Sequence, residues 1–305
     1  AERGAWRLGR DIPRRDLRDN TLNQLHSLKR DFLVRDHRGG AAYSFTHDIF
    51  FEWAFYRYLI DLVDTWTDAL LAAGEPPLLG RVVSLLAQHE FGQRGRWSKG
   101  YHSLEATSLR PQWRREWLTA PPFSSNFLEG VGEFHELLSK DDYALLDKLL
   151  VWFQAQHTTP NPLVLNNASL LDSDVDATRM ADLLGWPTDS RAWARLIDWL
   201  LTIAPELPTR LVPHALEVFS VWQNNYSEFK NDFSEAIVNA ANTWLREIEV
   251  VKFTKKLSFE RGRWSVFGRE ALDRLVTDLQ TMVVRSARVY PEPATALFLR
   301  AANNA

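Results

Sequence analysis

Cysteine is absent from this 305-residue chain. That absence excludes a disulfide scaffold, a thiolate nucleophile and any zinc site built on cysteine. It fits a reducing compartment, and a cytoplasmic location is the expectation. No run of about 18 apolar residues occurs, so no membrane span and no membrane partner are expected. The strongest apolar stretch, residues 49–63, is broken by Glu52, Arg57 and Asp61. A signal-peptide core is missing from the N-terminus. Charge of one sign is not in excess: the formal net charge is -3, which gives no bulk pull toward nucleic acid. Phosphate-cradling loops are missing too, since neither G-x-x-x-x-G-K-[ST] nor G-x-G-x-x-G occurs and the 14 glycines are scattered at turns. These residues alone are therefore not expected to bind and hydrolyse a nucleotide. No H-E-x-x-H and no G-x-S-x-G is present, so neither a zincin nor a serine-hydrolase signature is available.

What is present is an ordinary globular balance, 45% hydrophobic and 25% charged. The chain opens without methionine in an arginine-rich stretch (Arg3, Arg7, Arg10, Arg14, Arg15, Arg18) and is read as a piece of a longer polypeptide. Its 13 tryptophans are many for the length, and packing between helices is the expected use of so many indoles, ahead of stacking on sugars or bases.

Helical spacing runs from Leu22 to Phe32 (Leu22, Leu25, Leu28, Phe32). Two short extended runs, 32–35 and 41–45, flank Asp36-His37-Arg38-Gly39-Gly40 and predict a β-hairpin. Helix, hairpin, helix reads as the tail of a winged-helix domain, placed at residues 1–48. From Thr46, a helix cap by type, the chain turns helical. Ile49, Phe50, Trp53, Tyr56, Ile60 and Val63 predict the buried stripe, with Arg57, Asp61, Asp64 and Asp68 solvated, and Ala72 to Pro77 ends the helix. Further helices are expected at 78–89, from Pro111 with Trp113 and Trp117, and at 127–138 and 143–153 joined by 139–142. Loops are expected at 158–162 and 172–176. The stripe Trp193, Leu196, Ile197, Leu200, Leu201 is followed by a Pro-bounded link (204–208) and by Leu211 to Trp222. Helices at 229–248, 271–284 and 294–302 follow, with a short hairpin near 251–266 turning at Gly262. Helix, short turn, helix is the grammar of an α-solenoid. The fold expected is all-α, a HEAT-like helical array over 49–305 with a winged-helix remnant before it.

Several candidate sites dissolve on inspection. Asp172-Ser173-Asp174-Val175-Asp176 begins like a calcium loop, but Ala177 stands where the loop needs Gly and Leu183 where it needs Glu. A capped start of a helix is the better reading. His89, His102, His135, His157 and His214 are far apart in sequence and lack ligand spacing. Lys29 and Arg30 beside the hairpin suggest DNA, but Asp19, Asp31 and the acidic balance weigh against it.

That leaves Tyr43-Ser44-Phe45-Thr46-His47-Asp48-Ile49-Phe50, where extended chain runs into an apolar helix. The start of a helix carries unpaired N–H groups and partial positive charge, so anions bind well there. Read alone, His47 and Asp48 also fit a pair that merely caps the helix. At this point the chain resembles the STAND class of signalling P-loop NTPases, which includes plant disease-resistance receptors, apoptosome proteins and bacterial antiphage sensors. Their winged-helix domain ends in a hydrophobic residue, any residue, His-Asp and an apolar helix. Phe45-Thr46-His47-Asp48-Ile49-Phe50 fits, with Thr46 where many members have Met. The resemblance implies that His47 reaches the β-phosphate of ADP in the inactive state, and that Asp48 fixes the turn. It implies no catalytic residue in this segment. ADP or ATP and Mg would belong to the parent, whose upstream NTPase core would be a partner. A protein trigger on the helical array and a homo-oligomer on activation are further implications. Residues 109–115 and 211–223 look similar to helical regions that follow the core in large bacterial members. Two other functions stay open: a free-standing helical scaffold that binds protein, and an all-α enzyme with a composite site.

Overall fold

The computed structural model describes residues 12–17, 19–167, 174–226, 231–253, 264 and 267–303. The chain is all-α, with strands confined to two small sheets among the described residues. It divides into two compact units, Ala1–Phe134 and His135–Ala305.

The first unit begins with the sheet. Helix α1 (Asp19–Arg30) leads into β2 (Val34–His37) and β3 (Ala42–Phe45), an antiparallel pair in which Val34 faces Phe45 and His37 faces Ala42. The predicted Gly-Gly turn is there. Arg38, Gly39 and Gly40 follow one another with φ of 52, 67 and 86°, a left-handed run that two glycines take without a Cβ clash. A third strand, β1 (Ile12–Pro13), pairs with the other edge of β3. Two residues carry no periodicity, so the sequence gives no sign of it. Leu25, Val34 and Tyr43 form the small core between α1 and the sheet. Lys29 reaches Asp36 at 2.8 Å, and this ammonium holds the Asp36 carboxyl below its usual range.

Helix α2 (Asp48–Leu62) follows β3 directly. The sequence predicts one helix as far as Ala72. The structure breaks it at Val63, whose φ of 49° lies in the left-handed region, and restarts as α3 (Trp66–Ala72). The break lets Trp66 turn inward and stack on Trp117, with ring centroids 4.9 Å apart at 8°. Helices α4 (Gly80–Glu90), α5 (Arg96–Ala106) and α6 (Pro111–Thr119) follow, and the division between the units falls within α7 (Phe127–Leu138). From α2 to α6 the helices pack on the next or the next but one, as stacked helical hairpins do.

Helix α5 is not expected from the sequence. Its Gly100 weakens the helical signal, yet the position requires glycine: a Cβ there would lie 2.2 Å from the Trp117 ring. Trp97 and Trp117 donate their indole N–H groups to each other's carbonyl, at 3.4 and 3.0 Å. Two carboxylates from neighbouring segments cap helix starts. Glu75 accepts from Arg110 N at 2.7 Å and from Trp113 Nε1 at 2.6 Å. Glu133 accepts from Gly95 N and Ser98 N at 3.2 and 2.7 Å. Both place negative charge where a helix start is positive.

The second unit contains α8 (Lys140–His157), α9 (Pro162–Asn166), α10 (Asp174–Leu184), α11 (Ser190–Ile203), α12 (Val212–Tyr226), α13 (Asp232–Phe253), α14 (Arg269–Arg285) and α15 (Pro291–Asn303). The predicted link at 139–142 appears as left-handed residues Asp141, Asp142 and Tyr143 at the start of α8. Arg210 bridges to the Asp142 carboxylate at 3.0 Å. From α11 to α15, each helix packs on the next and on the one after. The exception is β4 (Thr158–Thr159) paired with β5 (Trp186–Pro187), where the sequence predicts a loop. Asp172 and Ser173 lie outside the described residues, and α10 is helical from Asp174. The hairpin expected near 251–266 also falls largely outside them; residues 251–253 end α13.

His157 sits beside this small sheet. Burial pushes its imidazole down to about 4 from 6.5, although Asp189 pulls the other way. An imidazole that stays neutral when folded favours the unfolded, protonated chain as pH falls. Stability is therefore full above pH 6.5 and declines toward pH 4, by about 3 kcal/mol in all. Urea titrations across that range should show the decline, and His157→Gln should flatten it. Val63 is 52% exposed, so little apolar burial is lost if its strained φ is relieved. Val63→Gly should stabilise the chain by about 1 kcal/mol, read as a higher urea midpoint.

Candidate functional site

The site is built where β3 meets α2. Phe45 closes the strand and packs edge-on against Phe51 at 5.9 Å, which fixes the sheet to the helix. Thr46 does not cap α2, against expectation. Its hydroxyl donates to Phe32 O at 2.7 Å and to Leu33 O at 3.2 Å, and its N–H donates to Leu33 O at 3.0 Å. Thr46 thus ties the end of α1 to the start of α2, and His47 becomes the N-cap with extended backbone, φ -139° and ψ 148°. Its side chain makes no capping bond. The first N–H groups of α2 therefore lack a side-chain acceptor from their cap, and Asp48 supplies the negative charge of the first turn.

Both predicted site residues are exposed. The His47 ring lies edge-on to Phe50 at 5.9 Å and makes no hydrogen bond among the described residues. It is not buried in aliphatic packing, and the hairpin leads straight into it. The two residues point to solvent together, without an ion pair between them.

The face of α2 that the sequence assigns to the core is a correction. Phe51, Phe55 and Leu59 are the buried stripe, at 5, 1 and 0% exposure. Ile49 and Trp53, one turn apart, are 44 and 54% exposed. Phe50, Tyr56 and Ile60 are half-buried, and Val63 is exposed. The predicted solvated residues Arg57, Asp61, Asp64 and Asp68 are all exposed. The reason is that α2 is apolar around most of its circumference, so two stripes compete and the one flanking Trp53 loses. Glu52 lies buried beside the winning stripe and is neutralised by Arg81 at 3.5 Å. Burial raises the Tyr56 phenol above its ordinary value, and Glu90 adds to the rise.

Trp53 is the exposed one among the described tryptophans. Phe32 is 83% exposed and has φ of 58°, a position at the end of α1 where glycine is the usual occupant. Its carbonyl is the one bonded to Thr46. Phe32, Ile49 and Trp53 are thus three large apolar side chains left exposed near the junction of α1, β3 and α2. Sequence reasoning missed Phe32 and Trp53 as surface residues. The available signal was the second apolar stripe Phe51, Phe55, Leu59 at steps of four.

The remaining histidines are spread out. His102 pairs with Glu105 at 3.1 Å, and His214 lies 3.4 Å from both Asp147 and Glu217. Among the described residues, no group of three or more His, Asp or Glu is arranged to hold a metal ion. No described helix is long and apolar enough to cross a membrane. Compared with known proteins, the chain matches no family model and no curated sequence.

The hydroxyl of Thr46 is the part of this junction that a single isostere removes. Thr46→Val should lower stability by about 1 kcal/mol, and amide exchange at the start of α2 should quicken. Unchanged exchange at Asp48 to Phe51 would mean that the hydroxyl does not hold the junction.

Proposed function

We propose that this chain is the regulatory, sensor-proximal segment of a STAND-type signalling NTPase, of the kind used in bacterial defence. The observation that carries the reading is His47: an exposed imidazole without a hydrogen-bond partner among the described residues, at the start of α2 directly behind the hairpin. A helix start favours phosphate, and an imidazole adds a donor that the backbone lacks. His47 would hydrogen-bond the β-phosphate of ADP held, with Mg, by a P-loop core that is not among these 305 residues. Ile49, Trp53 and Phe32 would give that core an apolar surface to close on. Closure then depends on which nucleotide is bound. Contact of a protein trigger with the helical array shifts the balance only through its differential affinity for the open state.

The exposed Trp53 and Phe32 also suit a plain protein-binding scaffold, in which nucleotide plays no part. One variant separates the two. In the polypeptide that carries this chain and its NTPase core, His47→Ala should speed ADP release about 10- to 100-fold, the loss of one hydrogen bond to a charged group. Release of fluorescent ADP at the wild-type rate removes the sensor role.

A further inference from the structure

The second unit carries a groove of about 840 Å³ between α10, α12 and α14. Its floor is apolar, formed by Leu216, Val221, Leu275 and Met282. Leu183 stands at its edge, 70% exposed. Its α14 side presents Arg274 and Arg285, with Arg288 just beyond the helix, and all three are exposed. None of the three forms an ion pair among the described residues. Arg285 donates to Asn224 Oδ1 at 3.0 Å, and that Asn224 also donates to Leu184 O at the end of α10. The acidic residues lining the groove are Asp278 and Glu217, and Glu217 is drawn to His214 at 3.4 Å.

A buried polar atom completes the picture. Gln223 is 6% exposed and lines the groove. Its Nε2 donates to Ser234 O at 3.0 Å, while Oε1 has no partner. A buried acceptor left without a donor costs about 1–3 kcal/mol.

We infer that this groove binds an acidic, leucine-rich segment of a partner protein. The apolar floor takes the aliphatic side chains, and the arginines take the carboxylates. From Arg274 to Arg285 the helix rises about 16 Å, longer than one small dianion can bridge and suited to a peptide segment. The inference does not depend on the nucleotide reading, because it uses neither His47 nor any residue of the first unit.

The test pans a random peptide display library on the whole chain and measures enriched peptides by fluorescence anisotropy. Enriched sequences should combine Asp or Glu with Leu, Ile or Phe. Their affinity should fall about tenfold or more in Arg274→Glu/Arg285→Glu and weaken with added salt. Lys-for-Glu versions of the same peptides should prefer the double variant. Arg274→Glu/Arg288→Glu spares the Asn224 contact and serves where the first pair fails to fold by circular dichroism. Enrichment of basic or uncharged peptides, no enrichment, or equal affinity for the variant overturns the inference. Competition by citrate as strong as by the peptide overturns the peptide assignment as well.

Discussion

Burial of Phe51, Phe55 and Leu59 sets the rotation of α2, and the surface of the first unit follows from it. Each of these side chains contributes about 1.5–3 kcal/mol when fully buried. Residues two apart on a helix lie on nearly opposite sides, so burying Phe51 and Phe55 necessarily turns Ile49 and Trp53 outward. The rotation has a consequence for charge as well. It takes Glu52 out of solvent, and a buried carboxylate is tolerated only with a partner, which Arg81 provides. His47, at the N-cap, stays exposed at the very start of the helix.

The other helices of this unit are tied to one another by tryptophan. Trp97 and Trp117 exchange indole-to-carbonyl hydrogen bonds, Trp113 donates to Glu75, and Trp66 stacks on Trp117. A buried indole needs an acceptor for its N–H, and each of the three donors has one supplied by a neighbouring segment. Helix positions in this unit are therefore fixed by polar contacts with defined geometry as well as by greasy surface. Against this background Trp53 is the anomaly. A residue type that packs between helices elsewhere among the described residues is offered to solvent here, one turn beyond Ile49. Phe32 adds to the case, since it keeps a large ring in water at a backbone position where glycine would relieve strain.

Much of this fold is legible in the residues, and the failures have identifiable causes. The Gly-Gly turn dictates the hairpin, Pro111 opens α6 at its first position, and of the predicted stripe Trp193, Leu196, Ile197 and Leu200 are buried while Leu201 is half-buried. What escapes depends on tertiary partners. Strands of two residues, β1 and the β4–β5 pair, have no pattern of their own and exist through the segments they meet. Helix α5 hides behind Gly100, which is there for the Trp117 ring and not for the helix. In α2 the pattern itself is ambiguous, because both stripes repeat at helical spacing and the packing against α4 and β3 decides between them. The position of His47 at a strand-to-helix junction is readable from Phe45-Thr46-His47-Asp48. The hydroxyl bridge that frees the N-cap from Thr46 is not, because it depends on the chain reversal that brings Leu33 alongside.

The proposed switch places a modest polar contact next to a larger apolar one, and their sizes explain why both are needed. A hydrogen bond to a charged phosphate is worth about 1.5–3 kcal/mol, too little to hold two protein modules against the freedom lost on closing. Exposed Trp53, Ile49 and Phe32 would add several kcal/mol of apolar burial on such a contact, at about 25 cal/mol per Å². None of the three depends on the nucleotide, so this surface would set the baseline affinity of the proposed closed state. In the proposed switch the imidazole would supply the part that changes with the bound phosphates. A difference of about 1.4 kcal/mol moves the balance tenfold, and about 5.5 kcal/mol is needed to take it from nearly all closed to nearly all open. One histidine therefore biases such a switch without throwing it. In the proposed switch the rest of the free energy would have to come from a ligand that distinguishes the two states.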